Sequence, residues 1–161
     1  MPSNRLGCTM ANPESELLDL RSRAAISAVL QRYARAVDAR DRASLRSCFH
    51  DDATGDYVGS EEFHTPQRIV EWILEAVGRY ASTHHLNGVS EIEIDGDEAR
   101  TTTPLQAAHI RSDARGGGVL FLGGIYTDTL RRSEGEWRIA HRRFEVLWRH
   151  DSATGKSGGA T

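Results

Sequence analysis

Adjacent histidines, His84 and His85, are the side chains of this sequence that are best placed for acid–base chemistry. They lead into a segment with strand patterning, and the alternation of a strand sends one of them inward and the other outward. The inward imidazole is poised to exchange protons in a pocket near neutral pH. The alternative is a structural histidine with satisfied hydrogen bonds.

No metal site is expected at these histidines. Neighbouring strand residues point to opposite faces, and no second pair at ligand spacing, such as His-x-Glu or Cys-x-x-Cys, supports one. Of the two cysteines, Cys8 lies in a polar arm and Cys48 lies beside Phe49 in a helical pattern. Two cysteines are too few for a disulfide framework, and Cys48 is expected to be a buried thiol that is not a nucleophile.

Tyr33 and Asp38 lie five positions apart near the end of a predicted helix. They are therefore separated by roughly 140° around the helix axis and flank its apolar stripe from opposite edges. Asp38 is either a site carboxylate or a solvated acid at a helix end. Tyr33 is either a site hydroxyl or a core aromatic whose hydroxyl finds a partner.

Two further candidates come from predicted strands. His109 follows an apolar stretch in mid-strand and can face inward. Of Arg142 and Arg143, one is expected to reach the interior, where a guanidinium needs an inward acid or an oxyanion as its partner; a basic outer face is the alternative. Four other histidines are predicted to lie on the surface: His50, His64, His141 and His150.

The composition indicates one globular domain without a polyanionic partner. The chain has 161 residues, of which 39% are hydrophobic and 27% charged, which suits a single domain. A net charge of −3, from 20 basic and 23 acidic residues, gives no global attraction to nucleic acid or to an anionic membrane. No span of about 20 apolar residues and no signal-peptide pattern occur, so a cytoplasmic protein is expected.

The chain divides into a polar N-terminal arm, 1–12, a folded domain, 13–150, and a Gly/Ser-rich tail, 151–161, that is predicted to be disordered. Helical periodicity dominates as far as about Tyr80, and strand patterning dominates afterwards. This order predicts an α+β fold with segregated layers.

Three helices are predicted in the first half. Asn12 and Pro13 begin the first, Asp41 caps a short second one, and Thr65 with Pro66 begins the third. The polar stretch 51–63 between the second and third helices predicts a short edge strand and a loop.

The second half predicts a long antiparallel meander. Asp95-Gly96 is a strong hairpin signal, and glycine-rich turns at 116–118 and 133–135 separate the later strands. Strands this long curl strongly, so a concave face covered by helices encloses a cone that can hold a small molecule. The side chains expected to shape that pocket are Trp72, Leu105, His109, Leu120, Leu122, Ile125 and Phe144. An outer face that is apolar around Leu130, Ile139 and Val146 predicts a homo-oligomer, a dimer or a trimer.

Three blocks of the sequence resemble a known family. They are the SRAAI run at 22–26 with Tyr33 and Asp38, the stretch 84–97 with its histidine pair, and the closing strands at 123–142. Together they resemble the scytalone dehydratase-like and SnoaL-like members of the nuclear transport factor 2-like superfamily. The resemblance spans about 17–148 and implies a cone-shaped antiparallel sheet whose concave face is covered by N-terminal helices.

The resemblance also implies a chemistry. Several members use an Asp–His dyad inside the cone, and the matching positions are Asp38 and His85, with His84 as the alternative. Tyr33 matches a tyrosine aimed at a carbonyl or a leaving hydroxyl, and Arg142 matches a pocket arginine. These residues predict a lyase or isomerase that needs no cofactor and acts on a small hydrophobic substrate by dehydration, elimination or cyclisation.

Two other functions remain open at this point. One is a SnoaL-type polyketide or epoxide-opening cyclase, in which Asp38 itself serves as acid and base. The other is a non-catalytic module that binds a small ligand or supports assembly, because the fold alone does not determine function.

Overall fold

The computed structural model describes residues 12–57, 62–112 and 117–159. Within these ranges, three helices and seven strands follow each other along the chain. They are α1 (Pro13–Ala39), α2 (Arg42–Ser47), β1 (Phe49–Tyr57), α3 (Pro66–Gly78), β2 (Ser82–Asn87), β3 (Glu91–Asp95), β4 (Glu98–Ile110), β5 (Val119–Ser133), β6 (Glu136–Asp151) and β7 (Lys156–Gly159).

The three predicted helix starts are confirmed by their caps. The Asn12 side chain accepts a hydrogen bond from the Glu14 amide, with Pro13 in the first turn of α1. Asp41 caps α2 and Thr65 caps α3 in the same way. Each cap satisfies an N–H group that has no partner inside its own helix.

The strands form one curved, unclosed sheet in the order β1-β6-β5-β4-β2, with β3 paired to β4 and β7 paired to β6. All pairings are antiparallel except β1 with β6, which run parallel, so the sheet is mixed. The α+β class, the N-terminal helices and the edge position of β1 were predicted. The parallel pairing of β1 with β6 was not predicted, because the two strands are far apart in sequence.

The helices cover one face of the sheet, and the apolar core lies between the two layers. Along β4 the residues Ala99, Thr101, Thr103, Leu105, Ala107 and His109 are all buried. Their neighbours at even positions are more exposed, as the alternation of a strand requires. The same alternation on β5 turns Leu122 and Tyr126 inward and Ile125 outward.

The predicted apolar outer face involves different residues. Leu130 and Ile139 are cross-strand partners that are fully buried in the core, and Val146 is half-buried. The exposed apolar side chains of the sheet include Leu86, Phe121, Leu147 and Trp148 instead. The prediction was wrong for Leu130 and Ile139 because they belong to the inward series on β5 and β6.

The two chain ends differ from their prediction in part. Nearly all of the predicted arm, 1–12, lies outside the described residues, and Asn12 caps α1. The predicted disordered tail, 151–161, includes the last residue of β6 and the exposed strand β7, whose Lys156 and Gly159 pair with Asp151 and Trp148. Backbone hydrogen bonds to β6 order this short segment although it has little apolar surface to bury. None of the helices in the described ranges has the length and apolarity that a membrane crossing requires.

Candidate functional site

A cavity of about 200 Å³ lies between the helices and the concave face of the sheet. Its lining is predominantly aromatic and aliphatic, with a few polar groups that converge on it, which is the usual composition of a small-molecule site. The lining residues are Tyr33, Val37, Tyr57, Trp72, Ile73, Ala76, Val77, Arg79, Tyr80, His85, His109, Leu120, Leu122, Tyr126 and Phe144.

Asp38 and His85 meet beside this cavity. Asp38 Oδ1 lies 2.6 Å from His85 Nδ1, and Asp38 Oδ2 accepts a hydrogen bond of 2.8 Å from the His85 amide. The Thr83 hydroxyl donates a further hydrogen bond of 2.9 Å to Asp38 Oδ1. The His85 side chain is only 8% exposed and lines the cavity. The carboxylate therefore fixes the imidazole through both its ring and its backbone.

Two further contacts, one just before β2 and one at its end, hold this segment against α1 on either side of the pair. At the end of α1, Arg40 adopts a left-handed conformation with φ of 55°, and its guanidinium donates to the Tyr80 carbonyl at 2.6 Å. At the other end of β2, the Asn87 amide donates to the Leu30 carbonyl at 3.1 Å. The Asp38–His85 contact lies between these two anchors, so the register of the strand against the helix is fixed.

The protonation of the pair follows from its hydrogen bonds. Burial opposes ionisation of Asp38, but its hydrogen bonds with the His85 ring, the His85 amide and Thr83 outweigh burial and lower the pKa of the carboxyl. An ionised carboxylate can only accept hydrogen bonds, so His85 Nδ1 carries the proton that faces it. The lone pair of the neutral ring is then on Nε2, the nitrogen that Asp38 does not bind.

Four tyrosines line the cavity together with His85, and three of them, Tyr33, Tyr57 and Tyr126, contact one another. The hydroxyls of Tyr33 and Tyr57 are 3.3 Å apart, and the rings of Tyr33 and Tyr126 meet edge-to-face with centroids 5.7 Å apart. Burial, followed by the proximity of Tyr33, raises the pKa of Tyr57 and of Tyr126 well above their ordinary values. Both phenols therefore remain protonated at physiological pH and can donate hydrogen bonds.

Arg142 is buried but does not line the cavity. Its Nε and Nη2 each donate a hydrogen bond of 2.7 Å to Asp128, and both side chains are 0% exposed. The guanidinium carbon lies 4.0 Å from the ring centroids of both Tyr33 and Tyr126. Burial opposes the charge on Arg142, but the Asp128 carboxylate outweighs it and raises the pKa of the guanidinium. Arg142 was predicted as a pocket arginine, but it is absent from the cavity lining and instead lies against the rings of Tyr33 and Tyr126, which belong to that lining.

His109 lines the cavity beside His85. Its ring centroid lies 5.4 Å from that of His85 and 4.7 Å from that of Tyr80, and its Nδ1 has no hydrogen-bond partner within the described residues. Burial, together with the nearby His85, lowers the pKa of His109 from 6.5 to about 4. The ring is therefore neutral at physiological pH.

This neutral histidine predicts a pH-dependent stability. Because the folded-state pKa lies below that of the unfolded chain, the unfolded state takes up a proton first, and stability is lost as the pH falls from 6.5 towards 4. His109→Phe keeps an aromatic ring beside Tyr80 but removes the group that takes up a proton on unfolding. Urea unfolding measures the unfolding free energy at pH 7 and at pH 4.5. Between these two values the variant should lose on the order of 2 kcal/mol less than the wild type does.

The matched control for this measurement is His84→Gln. His84 is exposed on the outer side of β2, so this variant removes a histidine without touching the buried cluster around His109. Equal pH dependence in the His109→Phe variant and the wild type would contradict the assignment of a neutral buried imidazole at position 109.

The remaining predicted residues divide into two groups. His84 faces away from the cavity on the outer side of β2, so of the two histidines only His85 is next to Asp38. The cavity lining includes the predicted Trp72, His109, Leu120, Leu122 and Phe144. Leu105 is buried in the core, and Ile125 faces outward because it alternates with Leu122 and Tyr126 along β5. The prediction that Leu105 and Ile125 line the inner cavity was therefore wrong.

Sequence reasoning missed Thr83, Tyr57, Tyr126 and Asp128. Strand alternation could have found Thr83, which shares the face of His85 two residues away. Tyr126 could have been found in the same way, four residues after the predicted Leu122 on β5. A plain hairpin count around 133–135 would not have paired Asp128 with Arg142, because an irregularity between Thr129 and Leu130 shifts the register.

A larger groove, of about 430 Å³, lies on the opposite face of the sheet. Leu86, Pro104, Ile125, Leu147 and Trp148 are among its lining residues, and the lining contains no titratable side chain. Proton transfer needs a titratable group at the reacting atoms, so the smaller inner cavity is the candidate active site.

Comparison with known proteins agrees with this architecture. The SnoaL-like domain family matches residues 18–143. An uncharacterized protein of Mycobacterium tuberculosis is 29% identical over 130 residues, which cover 77% of this chain and 84% of the relative.

Among solved structures, the hexachlorocyclohexane dehydrochlorinase LinA-type3 from Novosphingobium barchaimii superposes with a TM-score of 0.76 at 20% identity, over 84% of this chain and 93% of the other. A candidate scytalone dehydratase from Novosphingobium aromaticivorans superposes with a TM-score of 0.70 at 19% identity, over 92% and 91% of the two chains. The two structures share the nuclear transport factor 2-like fold with this protein. With a family match over most of its length, the chain belongs to the SnoaL-like family.

Proposed function

We propose that this protein is a lyase or isomerase that removes a proton from a small, uncharged organic substrate without a cofactor. The observation that carries the proposal is the Asp38–His85 pair at the wall of an aromatic cavity. Structural neighbours whose names indicate lyase chemistry, such as the dehydrochlorinase named above, support a small-molecule lyase or isomerase as the class.

His85 acts as the general base in this mechanism. Its Nε2 accepts a proton from a substrate carbon, and the electron pair of the broken C–H bond forms a double bond as a leaving group departs. Asp38 stays ionised and stabilises the imidazolium that forms, since its carboxylate accepts the Nδ1–H hydrogen bond throughout. Phenol hydroxyls in the cavity stabilise negative charge that develops on a substrate oxygen.

The cyclase alternative, with Asp38 as the direct acid and base, is less well supported. Both carboxylate oxygens of Asp38 already accept hydrogen bonds from Thr83 and His85. Asp38 is also absent from the described cavity lining, whereas His85 belongs to it. A cyclisation started by His85 remains compatible with this geometry.

The cavity restricts the size and polarity of the substrate. A cavity of about 150 Å³ can hold benzene, so about 200 Å³ suits one substituted ring or a compound of that bulk. Most of the lining is aromatic or aliphatic, which favours a hydrophobic compound with one or two polar groups.

The proposal is tested by turnover of small substrates that carry a leaving group β to an acidic carbon. β-Hydroxycyclohexanone and a cyclic epoxide of similar size are suitable, with a chelator present. Product formation that exceeds the buffer rate and survives the chelator supports the proposal. Tight binding without turnover across such a panel would favour the non-catalytic ligand-binding module.

We propose further that copies of the chain associate through the outer face of the sheet into a dimer or a trimer. Leu86 is 59% exposed there, and it shares a row across β2, β4, β5 and β6 with Gln106, Gly123 and the 41%-exposed Trp148. All four residues line the outer groove together with apolar side chains such as Ile125 and Leu147, and monomeric proteins rarely leave a large apolar surface uncovered.

The expected result is a dimer or trimer of the wild type in sedimentation velocity at micromolar concentration, and a monomer of the Leu86→Glu variant. Val89→Glu is the control, since Val89 is 92% exposed and is not among the groove residues. A monomeric wild type would contradict self-association.

A further inference from the structure

We infer that the outward face of α1 is a contact site for the α1 helix of a second copy of this chain, packed antiparallel to it. This contact site is separate from the outer face of the sheet, and it lies on the opposite side of α1 from Tyr33 and Val37, which line the inner cavity. It is therefore independent of the proposed function. Two observations support it, an exposed apolar stripe along α1 and the order of the charges beside that stripe.

α1 carries apolar side chains on two opposite faces. Its inward face, with Ile26, Leu30 and Tyr33, is buried in the core. Ala24 and Ala28 each lie two positions from Ile26, which places them roughly 160° away from it around the helix axis. A helix that only covers a sheet needs one apolar face, and the opposite face is normally polar.

Four residues form this outward stripe of α1. They are Leu17, Leu20, Ala24 and Ala28, and their spacings of three and four positions keep them on one side of the helix, as in the seams of paired helices. Leu17 is 48% and Leu20 is 62% exposed, and both alanines are exposed as well, so the described residues leave the outward stripe open to solvent. The small alanines allow a second helix to approach closely.

The charges on the two flanks of the outward stripe change sign along it. Glu14 and Arg21 lie on one flank, seven positions apart, and Glu16 and Arg23 lie on the other flank with the same spacing. Seven residues make nearly two full turns, so the two members of each pair stay on the same flank. The stripe therefore begins between acidic side chains and continues between basic ones.

This order of charges is complementary to itself. When two such helices pack antiparallel, each flank meets the same flank of the other copy, so Glu14 of each copy faces Arg21 of the other, and Glu16 faces Arg23. Charged pairs beside an apolar seam set the choice and the orientation of the partner helix. Antiparallel packing also places opposite ends of the two helix dipoles side by side. The partner that fits the outward stripe is therefore a second α1.

The contact between the two helices is small. Stable interfaces bury roughly 1,200–2,000 Å² in total, and two leucines with two alanines from each helix supply much less than this. The pairing through α1 is therefore weak and forms at submillimolar concentration. At micromolar concentration the outer face of the sheet alone determines the proposed dimer or trimer.

Sedimentation equilibrium of the intact protein measures this pairing as the average mass at micromolar and at submillimolar concentration. Between the two, the mass of the wild type should rise by up to about 2-fold. Leu20→Glu should abolish the rise, because it places a charge in the outward stripe. Leu18→Glu is the matched control: Leu18 is 55% exposed but lies on another side of α1, so this variant should behave as the wild type does.

Reversal of single charges tests the identity of the partner. Glu14→Arg and Arg21→Glu each place like charges opposite one another in a pair of identical chains, which should weaken the pairing on the order of 10-fold. A mixture of the two variants restores opposite charges in both contacts, so it should pair as the wild type does. Both side chains are exposed, and circular dichroism verifies that the two variants fold.

Three results would each overturn the inference. They are a wild-type mass that stays constant up to submillimolar concentration, a rise that persists in Leu20→Glu, and a mixture of the charge-reversed variants that pairs no better than either variant alone. Failure of the proposed contact through the sheet would appear separately, as a wild type that is monomeric at micromolar concentration.

Discussion

Replacement of His85 by alanine should lower proton abstraction by on the order of 10² to 10⁴-fold, the range for a positioned acid–base group. The reason is that Nε2 of this ring is the base, and alanine leaves no proton acceptor at its position. Folding and ligand binding should change little, because the base acts in the transition state and adds little ground-state affinity. The measurement is kcat and KM on the substrate identified by turnover, with thermal unfolding as the check on folding.

Asp38→Asn should lower kcat in a similar range. The amide keeps the shape of the side chain, but it cannot supply the negative charge that stabilises the His85 imidazolium. The double variant of both residues should lose far less than the product of the single effects, because the two residues act as a unit. Strictly multiplicative losses would contradict a coupled dyad.

His84→Ala provides the matched control for these variants. His84 is the neighbour of His85 in sequence, but it is exposed on the outer face of β2. Its replacement should leave kcat and KM at wild-type values. A large loss of kcat in this variant would show that the base is His84 and that the assignment of His85 is wrong.

The largest effect on stability is expected for Asp128→Ala. The variant leaves the Arg142 guanidinium buried without an anionic partner, since both of its hydrogen bonds of 2.7 Å go to Asp128. Breaking a buried ion pair in this way costs about 3–5 kcal/mol, a large part of the free energy of unfolding of a single domain. Chemical unfolding in urea measures the change.

Asp97→Ala is the control for that experiment. Asp97 also binds an arginine, Arg132, but its side chain is 70% exposed, so water replaces the lost partner. We expect little change in its unfolding free energy. Comparable losses in the two variants would show that burial of the Asp128–Arg142 pair is not what makes it important to stability.

The parts of the site that could be predicted are those that follow from local patterns. Helical periodicity and capping place Asp38 in the last turn of α1, and strand alternation separates His84 from His85. The contact between Asp38 and His85 could not be predicted from local patterns, because 47 positions separate the two residues. The family resemblance supplied that pairing, since periodicity carries no information about which distant elements meet.

The parts that escaped prediction depend on register and tertiary packing. Ile125 was assigned to the pocket together with Leu120 and Leu122, although alternation on one strand cannot turn all three to the same face. The register shift between Thr129 and Leu130 hides the partner of Arg142 from any count along the hairpin. Near the other shift, Gly124 lies so close to β6 that an added Cβ would collide with the Glu145 carbonyl oxygen.

Solvent deuterium exchange tests the central claim most directly, because it detects proton abstraction before any leaving group departs. Acetophenone, with acidic protons next to its carbonyl, is incubated in deuterium oxide with the wild type, with His85→Ala and with His84→Ala, in the presence of a chelator. We predict deuterium incorporation above the buffer rate for the wild type and for His84→Ala, and its loss in His85→Ala. Equal incorporation by the wild type and the His85→Ala variant would contradict the assignment of His85 as the base.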